Sequence, residues 1–344
     1  MSEPSPSPVA HAGPDHLAET LDGPPGEARS GPIALGPERR LGRYTVLDVL
    51  GRGGMGVVYA AYDSQLDRRV ALKVIRSPDS RRAPRHRQRL LREAQAMARL
   101  AHPNVIGVHD VGTLEDEVFL AMEFVAGSTL GEWARDAPRS WRDIRDAYLG
   151  AGRGLAAAHA AGLVHRDFKP DNVLIDDSRR ARVTDFGLAR ADDSQLAAAR
   201  DPSASDPELA LDRDDGVTDS ISGGSPLALR MTKVGTRIGT PAYMAPEQHA
   251  GEEADALSDQ FSFCVALYEA FFDRAPFRGG TPESLAAHVL AGRVRSPPSG
   301  SPVPGPIRRA VMRGLSVRPE HRFATMGALL DALAYDPARR RRRD

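Results

Sequence analysis

The string HRDFKPDNVL at residues 165–174, followed by VTDFG at residues 183–187, constrains this chain more than any other feature. Asp167, Lys169 and Asn172 stand at offsets of 0, 2 and 5, a spacing able to bring one carboxylate, one ammonium and one amide to a common site. Such a carboxylate can take a proton from a nucleophile, the ammonium can neutralise a moving anionic group, and the amide oxygen can ligate a hard cation. Asp185, at the end of an apolar strand-like run, supplies a second oxygen donor for that cation.

Upstream, LGRGGMGVVYAAYD places Gly51, Gly53 and Gly56 ahead of Val58. Glycines let backbone amides approach phosphate oxygens closely, although the same pattern alone also describes a plain hairpin. A dinucleotide-binding turn is disfavoured because a strand follows, and a Walker loop is excluded because no Lys-Ser/Thr pair follows. VALKVI then puts Lys73 on a strand, and Glu93 is the sole acidic residue from Arg81 to His109. A lone helical glutamate reads as a solvated charge. Beside a phosphate-clamping lysine it becomes the carboxylate that holds that lysine in place.

Lysine is scarce here. Only Lys73, Lys169 and Lys233 stand among 46 basic residues, so a lysine that remains points to a need for a compact, strongly hydrated point charge. Two of the three fall in these motifs. The 46 basic residues are balanced by 46 acidic ones, which argues against nucleic acid as the main partner.

Residues 1–40, rich in Pro, Gly, Ser and Ala, read as a disordered tail. Short strands are expected at 43–50, 57–64, 68–75, 105–112 and 117–124, with a helix over 85–101. Helices dominate from Thr129 onward. One over 142–162 presents Ile144, Tyr148, Ala151, Leu155 and Ala158 on a single face. Thr281 before Pro282 reads as a helix cap with Gly292 at the far end, and Thr325 caps a last helix through Leu333. The acidic, aperiodic segment 191–230 reads as a disordered surface insertion.

Together these motifs resemble the protein kinase superfamily, most closely the bacterial, eukaryotic-like Ser/Thr kinases, over residues 41–335. The resemblance implies an α+β, bilobal fold. A small antiparallel sheet with one regulatory helix forms an N-lobe (41–124), and a larger, mainly helical C-lobe follows (125–335). It implies ATP and Mg²⁺ as cofactors, protein Ser/Thr hydroxyls as substrates, and autophosphorylation, with a homodimer as one partner. Gly51, Gly53 and Gly56, within the loop Leu50, Arg52, Gly54 and Met55, would cover the ATP phosphates. Lys73 would contact the α/β-phosphates and pair with Glu93. Asp167 would be the catalytic base, Lys169 would reach the γ-phosphate, and Asn172 and Asp185 would hold Mg²⁺. Val58, Ala71 and Leu174 would sandwich adenine, Met122 would be the gatekeeper, and backbone groups of Glu123 and Val125 would bind the adenine edge.

By the same resemblance Thr240 completes the substrate platform, Glu247 pairs with Arg322, and Asp259 braces the backbone of the HRD string. Arg166 suggests control by a phosphate on the activation segment, with Thr232 the first candidate site and Thr236 the second. Phe168 stands where the family usually has leucine. Asp185 to Glu247 spans 63 residues, longer than is usual, and segment 191–230 accounts for the excess. A passive loop is the plainer reading of that segment; autophosphorylation of its serines or occlusion of the cleft is the other. The rival to an active enzyme is a pseudokinase or ATP-binding scaffold, against which the complete set Lys73, Asp167, Asn172 and Asp185 argues. The absence of a secretory leader and of a long apolar run makes the cytoplasm the expected location. The basic tail 336–344, with Arg339–Arg343, suits membrane proximity through anionic lipid heads or a solvated end. Cys264, the sole cysteine, reads as a small core hydrophobe.

Overall fold

The computed structural model describes residues 39–53, 56–75, 83–114, 117–186 and 241–335, with backbone alone for 83–87, 89 and 114. The tail to residue 38, Gly54, Met55, segment 191–230, Thr232, Lys233, Thr236, Thr240 and Arg339–Arg343 lie outside the described residues.

Alternating apolar residues separated by turn breaks fold the first part into an antiparallel sheet. Its strands are β1 (Arg40–Leu41), β2 (Tyr44–Gly53), β3 (Gly56–Asp63), β4 (Arg68–Ile75), β5 (Val108–Leu114) and β6 (Glu117–Glu123), ordered β1-β2-β3-β4-β6-β5. Arg40 already pairs with Thr45, so the sheet begins one residue inside the expected tail. Across the ladder Lys73 faces Val58 on β3 and Leu120 on β6. Gly56 has φ +146°, and a Cβ there would lie 1.9 Å from the Val74 carbonyl oxygen, so only glycine lets β3 start this close to β4. α1 (Ala83–Ala98) buries Leu90, Ala94 and Met97 at helical spacing and packs on β5 and β6.

One strand was misplaced by the sequence pattern. The expected strand at 105–112 begins only at Val108, because Val105 and Ile106 are buried by a different partner. Val105 bridges Val183, the Ile106 N–H donates to the Val183 carbonyl at 2.9 Å, and Val183 returns its N–H to Asn104 at 2.9 Å.

Past residue 126 a three-stranded antiparallel sheet, β7 (Gly127–Thr129), β8 (Val173–Asp176) and β9 (Ala181–Val183), lies among helices. These are α2 (Leu130–Asp136), α3 (Trp141–Ala160), α4 (Pro246–His249), α5 (Ala256–Phe272), α6 (Pro282–Leu290), α7 (Gly305–Gly314) and α8 (Met326–Leu333). Reciprocal capping boxes, Thr129 with Glu132 and Ser140 with Asp143, start α2 and α3. Thr281 and Thr325 cap α6 and α8 as expected, and Gly292, at φ +64°, follows the end of α6. The expected face of α3 is buried from Ile144 to Ala158. A Cβ on Gly154 would stand 2.2 Å from the Asn104 carbonyl oxygen, so α3 seats directly on the segment leading to β5.

α5 is buried on every side from Ser258 to Tyr268, as expected of a helix at the centre of a core. Its polar side chains are satisfied internally. Gln260 exchanges two hydrogen bonds with the Phe323 backbone, at 2.9 and 3.0 Å, and Ser262 donates to the Ser258 carbonyl. Cys264 is fully buried at this centre, against Gly314 of α7. Arg322 and Glu247 form the buried pair that the resemblance implied, with Nη1–Oε1 at 2.8 Å and Nη2–Oε2 at 2.9 Å. No helix among the described residues is long and apolar enough to cross a membrane.

Candidate active site

The HRD loop is held from below by one carboxylate. Asp259, on buried α5, accepts the backbone N–H of His165 at 2.7 Å on Oδ2 and that of Arg166 at 2.7 Å on Oδ1. His159 Nε2, at the end of α3, lies 2.8 Å from Oδ2. Three partners on two carboxylate oxygens fix the loop backbone against the buried core of α5. They also help to offset the left-handed conformation of Arg166, φ +65°, which costs about 1–3 kcal/mol in a non-glycine residue. Gln248 adds a bond from its Nε2 to the Arg166 carbonyl at 3.0 Å.

His165 is fully buried. Burial lowers its pKa and outweighs the pull of nearby carboxylates, so the ring is neutral at pH 7. Its Nε2–H donates to the Thr184 carbonyl at 2.9 Å, which leaves Nδ1 to accept the Asp167 N–H at 3.3 Å. The ring therefore couples the loop carrying Asp167 to the strand end carrying Asp185. Phe186 and Phe168 pack on His165 with ring centroids at 4.8 and 5.9 Å, and Phe168 continues to Phe263 at 5.6 Å. The phenylalanine in place of leucine thus fills a buried slot between the loop and α5.

The turn Pro170–Asn172 brings the polar groups together. Asn172 Nδ2 donates to the Asp167 carbonyl at 2.8 Å, which directs its Oδ1 away as an acceptor. The Thr184 N–H donates to the Asn172 carbonyl at 2.9 Å, placing Asp185 alongside. Lys169 Nζ lies 3.3 Å from Asp167 Oδ2. Asp185, left-handed at φ +59°, receives Lys73 Nζ at 2.8 Å from the opposite lobe. Burial alone would raise the Asp185 pKa, but Lys73, with Lys169 behind it, holds the carboxyl below its ordinary range.

The expected Lys73–Glu93 pair is not formed. Lys73 is taken by Asp185, and Glu93 stands 4.0 Å from Arg166 Nη1 instead. A lysine buried to 7% exposure takes the carboxylate that reaches it in hydrogen-bond geometry, while Glu93 on α1 faces the guanidinium of the HRD loop.

The remaining predicted positions surround the cleft. Gly51 and Gly53 lie on β2, where an added Cβ would meet nothing within 4 Å, so bare backbone faces open space. Leu50 and Arg52 are exposed beside them. Val58, Ala71, Val125 and Leu174 keep partly exposed apolar surface, and Met122 is buried opposite Ala71. The Glu123 N–H is already given to the Gly107 carbonyl at 2.8 Å, leaving its backbone an acceptor's role toward a ligand. Sequence reasoning missed His159 and Gln248. A histidine in a last helical turn reads as a partner of the helix dipole, and nothing in one sequence points it at Asp259.

The oxygen donors fit a hard cation. Asn172 and Asp185 offer amide and carboxylate oxygens, a set suited to Mg²⁺ sharing its remaining positions with phosphate and water. Among the described residues no larger cluster of metal-binding side chains exists.

A curled antiparallel sheet with one helix, set on a mainly helical lobe with its polar groups at the junction, is the protein kinase fold. Residues 44–205 match the protein kinase domain model. A probable serine/threonine-protein kinase of Streptomyces coelicolor is 35% identical over 295 residues, covering 83% of this chain and 39% of that protein. Serine/threonine-protein kinase PknA of Mycobacterium tuberculosis is 34% identical over 308 residues, covering 87% and 62%. The PknI kinase domain of Mycobacterium tuberculosis superposes with a TM-score of 0.58 at 23% identity, over 87% of this chain and 98% of that one. Rad53 1–466 in complex with AMP-PNP gives 0.62 at 22% identity, over 84% and 64%. The chain belongs to the protein kinase family. It spans 39% and 62% of the length of the two curated relatives named.

Proposed function

We propose that this chain transfers the γ-phosphoryl group of ATP to serine and threonine hydroxyls of proteins. The observation that carries this is the assembly of Asp167, Lys169 and Asn172 on one braced loop beside the Lys73–Asp185 pair that joins the lobes. ATP brings the phosphoryl group and Mg²⁺ neutralises its charge when both are bound. Asp167, within hydrogen-bond reach of a docked hydroxyl, takes the proton as the oxygen attacks. Lys169, already beside Asp167, holds positive charge where the phosphoryl passes. Asn172 Oδ1 and Asp185 supply the cation's protein oxygens, and Lys73 contacts the α/β-phosphates.

Gly51, Gly53 and Gly56 present backbone to the phosphates. Val58, Ala71 and Leu174 enclose adenine, with Glu123 and Val125 at its edge and Met122 behind it. The resemblance to kinases named for serine and threonine supports the choice of hydroxyl. Thr232 and Thr236 are the proposed autophosphorylation sites.

Purified protein incubated with labelled ATP and Mg²⁺, beside Asp167→Asn, tests this. The variant should lose transfer by about 10²–10⁴-fold, as removal of a general base does, while ATP affinity stays within about threefold. Transfer surviving in Asp167→Asn would remove Asp167 as the base. Absence of transfer in both proteins, with ATP bound, would favour a scaffold.

A further inference from the structure

Beside α6 lies a cavity of about 340 Å³ lined by Arg278, His288, Arg293, Val294 and Arg295. Three guanidiniums and an imidazole surround it, and no carboxylate is among the lining residues. In an arginine-rich chain a cluster of arginines means little by itself. What sets this cluster apart is that its arginines converge with a histidine on one cavity. Arg278, Arg293 and Arg295 have no ion pair among the described residues.

Two polar atoms in the cluster are also left over. Arg295 Nε and His288 Nδ1 are buried without a hydrogen-bond partner. Arg295 is nevertheless fixed in place, since its Nη1 donates to the Ala275 carbonyl at 3.3 Å and its N–H to the Pro276 carbonyl at 2.8 Å. Positive charges gathered without a counter-charge repel one another, and a dianion among them removes that cost while gaining charge-assisted hydrogen bonds.

We infer that this cavity binds a phosphoserine or phosphothreonine side chain on a protein segment. Its volume falls in the range of ligand pockets. That leaves room for a phosphoryl group and the residue bearing it, with Val294 for apolar contact. α6 packs against the turn Pro241–Tyr243 and against α4, where the chain re-enters the described fold after residue 240. The choice of a phosphorylated residue over another dianion rests on the proposed reaction, whereas the site itself rests on the cavity.

The test is a binding measurement without ATP, so a failure of the transfer reaction does not affect it. Fluorescence anisotropy compares a labelled peptide carrying one phosphoserine with its unphosphorylated twin. The phosphopeptide should bind at least about tenfold tighter, a difference of about 1.4 kcal/mol. Arg278→Glu/Arg293→Glu, both exposed and without described ion pairs, should abolish that preference with the melting temperature unchanged. Arg309→Glu, exposed on α7, should keep it. Equal binding of the two peptides overturns the inference, as does equal loss in Arg309→Glu. Displacement by inorganic phosphate at the phosphopeptide's own dissociation constant would assign the cavity to free phosphate and overturn it likewise.

Discussion

Replacing Arg322 by alanine isolates what the buried pair contributes to the C-lobe. The guanidinium is 1% exposed and places every N–H it has. Nε donates to Ser316 at 2.9 Å, Nη1 to Glu247 and Leu257 at 2.8 Å each, and Nη2 to Glu247 at 2.9 Å and Val317 at 3.0 Å. Arg322→Ala takes one donor from each of three carbonyls and leaves the Glu247 carboxylate buried with the Ser258 hydroxyl, at 2.6 Å, as its remaining side-chain donor. Breaking a buried pair from one side costs about 3–5 kcal/mol, so a loss near 4 kcal/mol, about a thousandfold in the folding equilibrium, is expected.

Both tryptophans, Trp133 on α2 and Trp141 on α3, lie in the affected lobe, so urea unfolding followed by tryptophan fluorescence reads the loss directly. A second arm uses pH. In the wild type burial pushes the Glu247 pKa up, but the bonds from Arg322 and Ser258 outweigh it and leave the folded value below the ordinary one. That contribution is complete above the unfolded value near pH 4.5 and is lost as pH falls through the folded value. In the variant burial acts without the guanidinium, so the folded pKa moves above the unfolded one and acidification favours the folded state. The stability gap between the two proteins should therefore narrow from pH 7 to pH 5. A loss under about 1 kcal/mol, or a gap independent of pH, would refute the assignment of the pair as the lock on this lobe.

Asp259→Ala removes the three partners that brace the HRD loop, and kcat should fall roughly 10²-fold, the cost of a misplacement near 1 Å, with the KM for ATP little changed. Steady-state kinetics separates the two; a rise in KM alone would mean that Asp259 does not act through loop position. The Cys264 thiol is pushed up to about 12 by burial, so it should resist a thiol reagent at pH 8 in the native protein and react fully once unfolded in guanidinium. Rapid native labelling would show that α5 opens locally.

Most of the architecture was legible because the signals were local. Glycine spacing, the β4 alternation around Lys73, the face of α3 and the threonine caps at 281 and 325 each depend on a few neighbouring residues. Long-range partners were not legible from local pattern; the Glu247–Arg322 pair and the Asp259 brace were named only through the family resemblance. Val105 and Ile106 are apolar and β-branched, so they read as a strand, and periodicity records that they are buried without recording that Val183 buries them. The residues of the site were likewise identified by motif, yet motif spacing does not say which of two carboxylates Lys73 takes, since that depends on where α1 sits relative to the strand end at Asp185. Thr129-x-x-Glu132 and Ser140-x-x-Asp143 were readable capping signals and would have set the starts of α2 and α3.

The seating of residues 104–106 on Val183 bears on how the two lobes can move. The backbone passes from the α1 side to the helical side and back before β5, and it crosses again after β6 on the way to β7. Two tethers, like two hinges on one door, define an axis. Opening about the line through them strains neither tether, whereas sliding or twisting would have to break the Asn104–Val183 and Ile106–Val183 bonds. Breathing of the cleft is thereby reduced to nearly a single coordinate, and the Lys73–Asp185 contact, two residues along the chain from Val183, closes the cleft near that axis.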